Sequence, residues 1–459
     1  SLTRLRQGAE EQRQDLAVVI DGRGLSWSEL EEQATARITA EKTTVLDGTN
    51  TLDFIVSFTS ALAGDRQCAI LDPTWHPSLR QDITDRLTSS EQASGTELID
   101  GDSTKPFLLG LTAGTTASPK GFRRSRQSWQ RSFAVSMDFF GLREDDKTLA
   151  PGPLAASLNL YALAECLYAG AQFYALKDFD AGAAHASIVH DGITRLVVTP
   201  TALRQLSEEG LMSSVDASGI RSIICAGSKL DLRTWESARR WVPNAAIFEY
   251  YGASELSFVA ARRLYPGNTA DWEGTAIGPP LPGVEVRIVD ETGAEVPDGE
   301  VGDIVVRSAM ICDGYLWGGD HRTIGPDDWF TVADRGYLSE GLVHILGRGT
   351  EIIVAAGNQV YPHEVELALN SVPGVGAALV AGIPDDMRGQ KIVAGILPSC
   401  GGPPPAGLAA GMDGLIPGHQ RPDMYFCLKY IPLTDRGKAS RQTFLQWISD
   451  RDDKATRLA

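Results

Sequence analysis

None of the six cysteines in this 459-residue chain (Cys68, Cys166, Cys225, Cys312, Cys400 and Cys427) lies in a CxxC pair. That scatter excludes the common zinc and dithiol redox motifs. Several sit in apolar runs such as Ile223-Ile224-Cys225-Ala226, where a reduced core thiol is expected. Reduced thiols fit a cytoplasmic location. Long apolar runs are also missing: none approaches the ~20 residues that cross a bilayer, so no membrane span is expected. Residues 1–14 are charged and lack the apolar centre of a secretory leader. Positive charge is scarce, with 42 Lys and Arg against 59 Asp and Glu and a formal net charge of -17. Such a chain repels nucleic-acid phosphates and anionic membranes in bulk, so neither is expected as its main partner. No GxGxxG follows a strand and no GxxxxGK[ST] occurs, which argues against a dinucleotide-dependent oxidoreductase and a Walker-type nucleotidase. There is no internal repeat.

The composition that remains, 43% hydrophobic and 22% charged, is that of a folded globular protein. Its length exceeds one ordinary core and predicts more than one domain. Residues 16–20 read as a strand closed by Asp21-Gly22, and Ser26 or Ser28 as the cap of a following helix. Residues 53–63 read as a buried helix and 68–73 as a strand ending in a turn. Strands at 195–200, 222–227 and 246–250 alternate with helices over 201–209 and 235–241, which implies a largely parallel sheet covered by helices. From Gly283 the texture changes to period-two strands, 284–289 and 302–307, joined by hairpin turns. After Gly347 a smaller unit follows, with a helix over 360–369, strands over 376–382 and 391–397, and a Gly/Pro/Ala-rich loop over 398–417.

Five runs carry chemistry. The first is Leu111-Thr112-Ala113-Gly114-Thr115-Thr116-Ala117-Ser118-Pro119-Lys120-Gly121, after the apolar Phe107-Leu108-Leu109. Small hydroxyl residues and glycine let backbone N–H groups approach an anion closely, and Lys120 adds a charge. The second is Tyr250-Tyr251-Gly252-Ala253-Ser254-Glu255: an aromatic for a base, a glycine for close approach, a carboxylate for magnesium. The third, Asp328-Trp329-Phe330-Thr331-Val332-Ala333-Asp334-Arg335-Gly336, holds a carboxylate in a turn that can bind a diol through two hydrogen bonds. The fourth is Gly347-Arg348-Gly349-Thr350-Glu351, an interdomain joint, followed by the loop and helix start Gly357-Asn358-Gln359-Val360. The fifth, Thr434-Asp435-Arg436-Gly437-Lys438-Ala439, sets a lysine between small residues. Taken singly, the last four read equally well as ordinary turns.

In this order and spacing the runs resemble the acyl-adenylate-forming (ANL) superfamily of acyl-CoA synthetases, stand-alone adenylation domains and luciferases. Ala226-Gly227-Ser228-Lys229-Leu230 fits the adenine-side loop of that family, and Gly278-Pro279-Pro280-Leu281-Pro282-Gly283 also matches it. The resemblance implies an α/β fold. A large N-terminal domain over 1–347 would combine stacked mixed sheets and helices with a β-rich subdomain. A small mobile α+β domain over 348–459 would carry the catalytic lysine. It implies ATP, Mg2+ and CoA, or a phosphopantetheinyl carrier protein, as cofactors and partners. Thr112, Thr115, Thr116 and Lys120 would contact the ATP phosphates, with Ser254 beside them. Gly227, Ser228, Tyr251 and Gly252 would hold adenine, Asp334 and Arg348 the ribose. Glu255 would hold magnesium. Lys438 would bridge the carboxylate and the α-phosphate, and Thr350 would be the hinge. Lys438, Glu255 and Thr112 would form the catalytic set.

Several positions depart from the family pattern. Ala113 and Ala117 stand where serine and glycine are usual, Ser254 replaces threonine, and Val332-Ala333-Asp334 replaces Thr-Gly-Asp. Thr350 replaces an aspartate or lysine, Ala156 a histidine, and the region before the phosphate run is short. No aspartate in 155–161 matches the amino-group anchor of amino-acid-activating domains, which directs the reading away from α-amino acids. Leu158, Asn159, Tyr161, Gly227 and Phe258 are the acyl-pocket candidates. The sequence looks most like small bacterial fatty-acyl-CoA ligases. The expected function is therefore ATP-dependent activation of a fatty or related acid, then transfer to CoA. Two alternatives remain: a carrier-protein ligase or stand-alone adenylation enzyme, and a nucleotide-binding protein that has lost catalysis.

Overall fold

The computed structural model describes all residues except 1, 12, 14, 89, 113–118, 266–274, 320–327, 400–401, 403–406, 435–438 and 459, and the side chain of 350. Four sheets organise them. The largest has eight strands. Its centre is parallel: Ala246–Ala253, Ser222–Cys225, Arg195–Val198, Lys147–Leu149, Gln172–Ala175 and Leu16–Ile20 run side by side. The antiparallel strands Ser257–Leu264 and Arg23–Ser26 form its two edges.

Alternation along these strands explains why both faces are covered. Val18, Val197, Ile224 and Phe248 enter one core, which also holds the helices Leu52–Ala61, Arg126–Phe140 and Ser157–Ala169. Val19, Leu196, Val198, Ile223 and Ile247 enter the other, against Leu203, Leu206 and Trp235. Successive side chains on a strand point to opposite faces, so each apolar run supplies two cores at once. Capping side chains mark the helix starts, and Ser26 is one of the two expected candidates. Ser26 and Glu29 form a capping box, Thr199 caps Pro200–Met212, and Asp231 caps Leu232–Trp241.

A second sheet of five strands runs Tyr315–Trp317, Lys120–Ser125, Pro106–Thr112, Gln67–Leu71, Thr43–Asp47. The third is the antiparallel sheet expected after Gly283, with Asp334–Ser339 between Gly302–Ser308 and Leu342–Arg348. The last sheet, of six strands, is drawn wholly from residues 353–457 and has its own cores around Val365, Val380 and Phe444. Four cysteines, Cys68, Cys166, Cys225 and Cys312, are buried and free as expected, while Cys427 is half-buried.

Several boundaries differ from the sequence reading; the strand expected over 195–200 ends at Val198, and the helices expected from 201 and 235 begin at Pro200 and Leu232. The helix expected over 360–369 is Pro362–Asn370, and Val360 closes the strand Asn358–Val360. Pro362 suits the first helical position, and the residue before a proline is pushed toward extended backbone. The strand expected over 246–250 continues to Ala253 because Ser257–Leu264 pairs with it from Ile247 to Ala253. Tyr251 and Gly252 are therefore strand residues.

Candidate active site

The strands Pro106–Thr112 and Lys120–Ser125 pair in a register that sets Thr112 opposite Lys120. These two residues flank the run 113–118, so Thr115 and Thr116 lie outside the described residues. Tyr315–Trp317 pairs on the far side of Lys120–Ser125. The Trp317 indole donates to the carbonyl of Pro119 at 2.8 Å and covers Gly121, where a Cβ would come within 2.7 Å of the ring. Gly121 is thus required by close packing. The Lys120 ammonium lies 5.5 Å from the centre of the Tyr315 ring.

Glu255 sits beyond the end of Ala246–Ala253 and is 6% exposed. Its Oε1 accepts hydrogen bonds from the Thr112 hydroxyl at 3.3 Å and the Tyr315 hydroxyl at 3.1 Å. Burial and the adjoining carboxylate push the Tyr315 phenol up, so it remains a donor. Among the described residues no lysine, arginine or histidine forms an ion pair with Glu255. A buried carboxylate without a protein cation is costly. The donor set fits a hard divalent cation. Among the described residues no group of three His, Cys, Asp or Glu converges here. The backbone here is clamped. Arg124, fully buried, donates to the carbonyls of Ser254 at 2.6 Å and Met310 at 2.7 Å, and the Cys312 N–H donates to the Glu255 carbonyl at 2.8 Å.

Asp334 lies opposite Arg348 in the antiparallel pair Asp334–Ser339 and Leu342–Arg348. Its carboxylate is 8% exposed. Oδ2 accepts from the Tyr251 hydroxyl at 2.6 Å, and Oδ1 is 3.6 Å from Arg348 Nε. Burial, then the Asp334 charge, push the Tyr251 phenol well up. The Arg348 side chain is 44% exposed, which leaves its guanidinium open to a solute. Ala333, where the family usually has glycine, holds φ +65°. The left-handed conformation is kept without the residue that best suits it.

The Ser254 hydroxyl pairs with that of Ser157 at 2.6 Å. Ser157 opens the helix Ser157–Ala169, whose cap Ala156 makes no side-chain hydrogen bond. Gly227 takes φ +97° and Ser228 is exposed. The next residue, Lys229, is buried 3.1 Å from Glu249 Oε2, which also accepts from Arg262 Nε at 2.9 Å. Burial pushes Lys229 down to about 8. Thr350 belongs to the short helix Gly349–Glu351, and Lys438 lies outside the described residues.

Leu158, Asn159, Tyr161, Gly227, Gly252, Ser254 and Phe258 line one cleft of about 1160 Å³, counting its open mouth. The Asn159 amide donates to the carbonyl of Pro153 at 3.1 Å and packs on Gly152, so it shapes the wall. Ring centres lie 5.2 Å apart for Trp129 and Tyr161, 5.1 Å for Tyr161 and Phe258, and 4.7 Å for Tyr250 and Phe258. Tyr315, Ser157, Arg124 and Trp129 were not singled out by sequence reasoning. Only Tyr315 and Trp317, two aromatics on one strand face, left a pattern that could have drawn attention.

A family model described as AMP-binding enzyme matches residues 60–316, more than half of the chain. The chain belongs to that family. Relatives within it include the uncharacterized acyl--CoA ligase YhfT of Bacillus subtilis, 29% identical over 87% of each chain. The indoleacetate--CoA ligase of Aromatoleum aromaticum is 30% identical over 75% of this chain and 68% of its own. Among solved structures, the anthranilate CoA ligase AuaEII in complex with anthranoyl-AMP superposes with a TM-score of 0.84 at 19% identity, covering 97% of this chain and 96% of that one. This AMP-binding enzyme therefore stands among the AMP-forming acyl-CoA ligases, as its motifs imply, and its α/β architecture is that of the adenylating enzymes.

Proposed function

We propose that the enzyme uses ATP to convert an apolar carboxylic acid of the fatty or related acyl class into its acyl-AMP, then passes the acyl group to the thiol of CoA in the cytoplasm. In the first step a carboxylate oxygen attacks the α-phosphorus and pyrophosphate leaves. In the second the thiol sulfur attacks the acyl carbonyl and AMP leaves. A carboxylate and ATP repel each other, so the barrier falls when cations and donors face the phosphates. Lys120, Thr112, Thr115, Thr116 and Ser254 supply these, and Lys438 joins the carboxylate to the α-phosphate. Gly227, Ser228, Gly252 and the Tyr251 ring take adenine, while Asp334 and Arg348 take the ribose hydroxyls. Glu255 would hold magnesium, which neutralises phosphate charge when bound.

The observation that carries this reading is the convergence of the Thr112 and Tyr315 hydroxyls on the buried Glu255, which forms no ion pair among the described residues, with Lys120 beside the Tyr315 ring. The six-stranded sheet within 353–457, with its own cores, supports a separate C-terminal domain over 348–459 hinged at Thr350. The test is ATP–pyrophosphate exchange across a panel of acids, followed by thioester formation. Exchange with an apolar acid and formation of its CoA ester are expected. Absence of exchange with every acid would overturn the ligase reading. Exchange with transfer only to a pantetheinylated protein would replace CoA as the acceptor.

A further inference from the structure

A second cavity of about 540 Å³, counting its open mouth, lies beyond the cleft, lined in part by Phe107, Trp129, Phe133, Ala164 and Leu167. It continues along the same elements. The strand Pro106–Thr112 gives Phe107 to this chamber and Leu108 to Leu111 to the cleft. The helix Ser157–Ala169 gives Leu160 and Tyr161 to the cleft, then Ala164 and Leu167 to the chamber. Positions 160, 164 and 167 share one helical face. The two cavities are thus consecutive stretches of one seam, and Trp129 lines both.

Trp129 is 5% exposed and held by three rings: 5.1 Å to Phe107, 5.8 Å to Phe133 and 5.2 Å to Tyr161. Gln130 adds an amide to the lining, and the two charged groups of the chamber are already engaged. Arg126 donates to the carbonyls of Pro106, Leu62 and Arg66, and Asp100 accepts from the Leu2 N–H. Apart from Gln130 the rest of the lining is apolar, suited to an aliphatic tail and not to a charged head.

We infer that Trp129 is the partition that sets acyl length: it ends the acid site at the Tyr161–Phe258 wall and selects compact acids, aromatic or medium-chain, over long-chain ones. Removing the indole joins the chamber to the cleft. Between positions 160 and 167 this lengthens the site by about 10 Å at the helical rise per residue. The inference rests on the ligase reading but fails separately from it.

The test compares phenylacetate, hexanoate and dodecanoate with the wild type, Trp129→Ala and Trp129→Ala/Leu167→Trp at saturating ATP and CoA. The wild type should favour the compact acids over dodecanoate by about tenfold or more in kcat/KM. Trp129→Ala should raise the dodecanoate-to-hexanoate ratio by about tenfold, mostly through KM, and the refilled double variant should lose that gain. Trp129→Leu takes its place if Trp129→Ala does not fold. A wild type that takes dodecanoate as readily as hexanoate, or a ratio unmoved by the variants, overturns the partition. If no acid supports exchange, equilibrium displacement of a fluorescent dodecanoate analogue by each acid reads the same ratio, and only the ligase reading falls.

Discussion

The Thr112 hydroxyl donates to Glu255 across 3.3 Å, joining the end of one sheet to a turn at the end of another although 143 positions separate them. Tyr315 reaches the same oxygen from a third segment. Glu255→Gln keeps an oxygen that accepts both hydroxyls while removing the charge. ATP–pyrophosphate exchange is expected to fall by about a hundredfold or more, with the melting temperature within a few degrees of wild type. Exchange near the wild-type rate would remove the carboxylate from the mechanism.

Tyr251→Phe keeps the ring and deletes the hydroxyl that Asp334 accepts. Losing one hydrogen bond of this kind is worth about 1 to 2 kcal/mol, so KM for ATP should rise roughly five- to thirtyfold. Asp334→Ala should have the larger effect because both ribose contacts go. Steady-state kinetics at varied ATP decide the order of the two.

Lys438→Ala should abolish adenylation while circular dichroism and melting stay unchanged. Unchanged exchange in this variant would exclude the lysine from the first half-reaction.

Ala333 holds φ +65°, a conformation that costs a residue with a Cβ about 1 kcal/mol. Ala333→Gly should therefore stabilise the protein by up to about 1 kcal/mol, less the greater freedom of glycine in the unfolded chain. Thermal melting of the pair measures it. A lower melting temperature would show that the unfolded-state term dominates.

Lys229 has its folded value pushed down to about 8 from 10.5 by burial. Between those values the folded protein binds fewer protons than the unfolded chain, so this group's contribution to stability rises with pH. The melting temperature of wild type relative to Lys229→Met should climb from pH 8 to pH 10. A flat or falling difference would mean that the ammonium is not held in the desolvated cluster with Glu249 and Arg262.

Local order was legible in the chain itself. Ser26 announced its helix, because capping acts within a few residues, whereas Thr199 and Asp231 also cap helices but are not read as caps from the sequence. The parallel character of the large sheet followed from apolar strands alternating with helices. Family membership followed from the order of the phosphate run, Tyr251 to Glu255, Asp334 and Arg348, since chemistry on one nucleotide needs those side chains in a fixed set.

Other relationships belong to tertiary structure alone. No local pattern says that Tyr315 meets Glu255, that Arg124 clamps the Ser254 and Met310 carbonyls, or that Tyr251 donates to Asp334. Each depends on sheet register and on elements far apart in the chain. The phosphate run that first marked the sequence determined which nucleotide chemistry to expect. Which acid fits is decided by the seam between the helix Ser157–Ala169 and the strand Pro106–Thr112, where packing places Trp129 between two cavities. A cavity is the space that several elements leave between them, and no single segment encodes it.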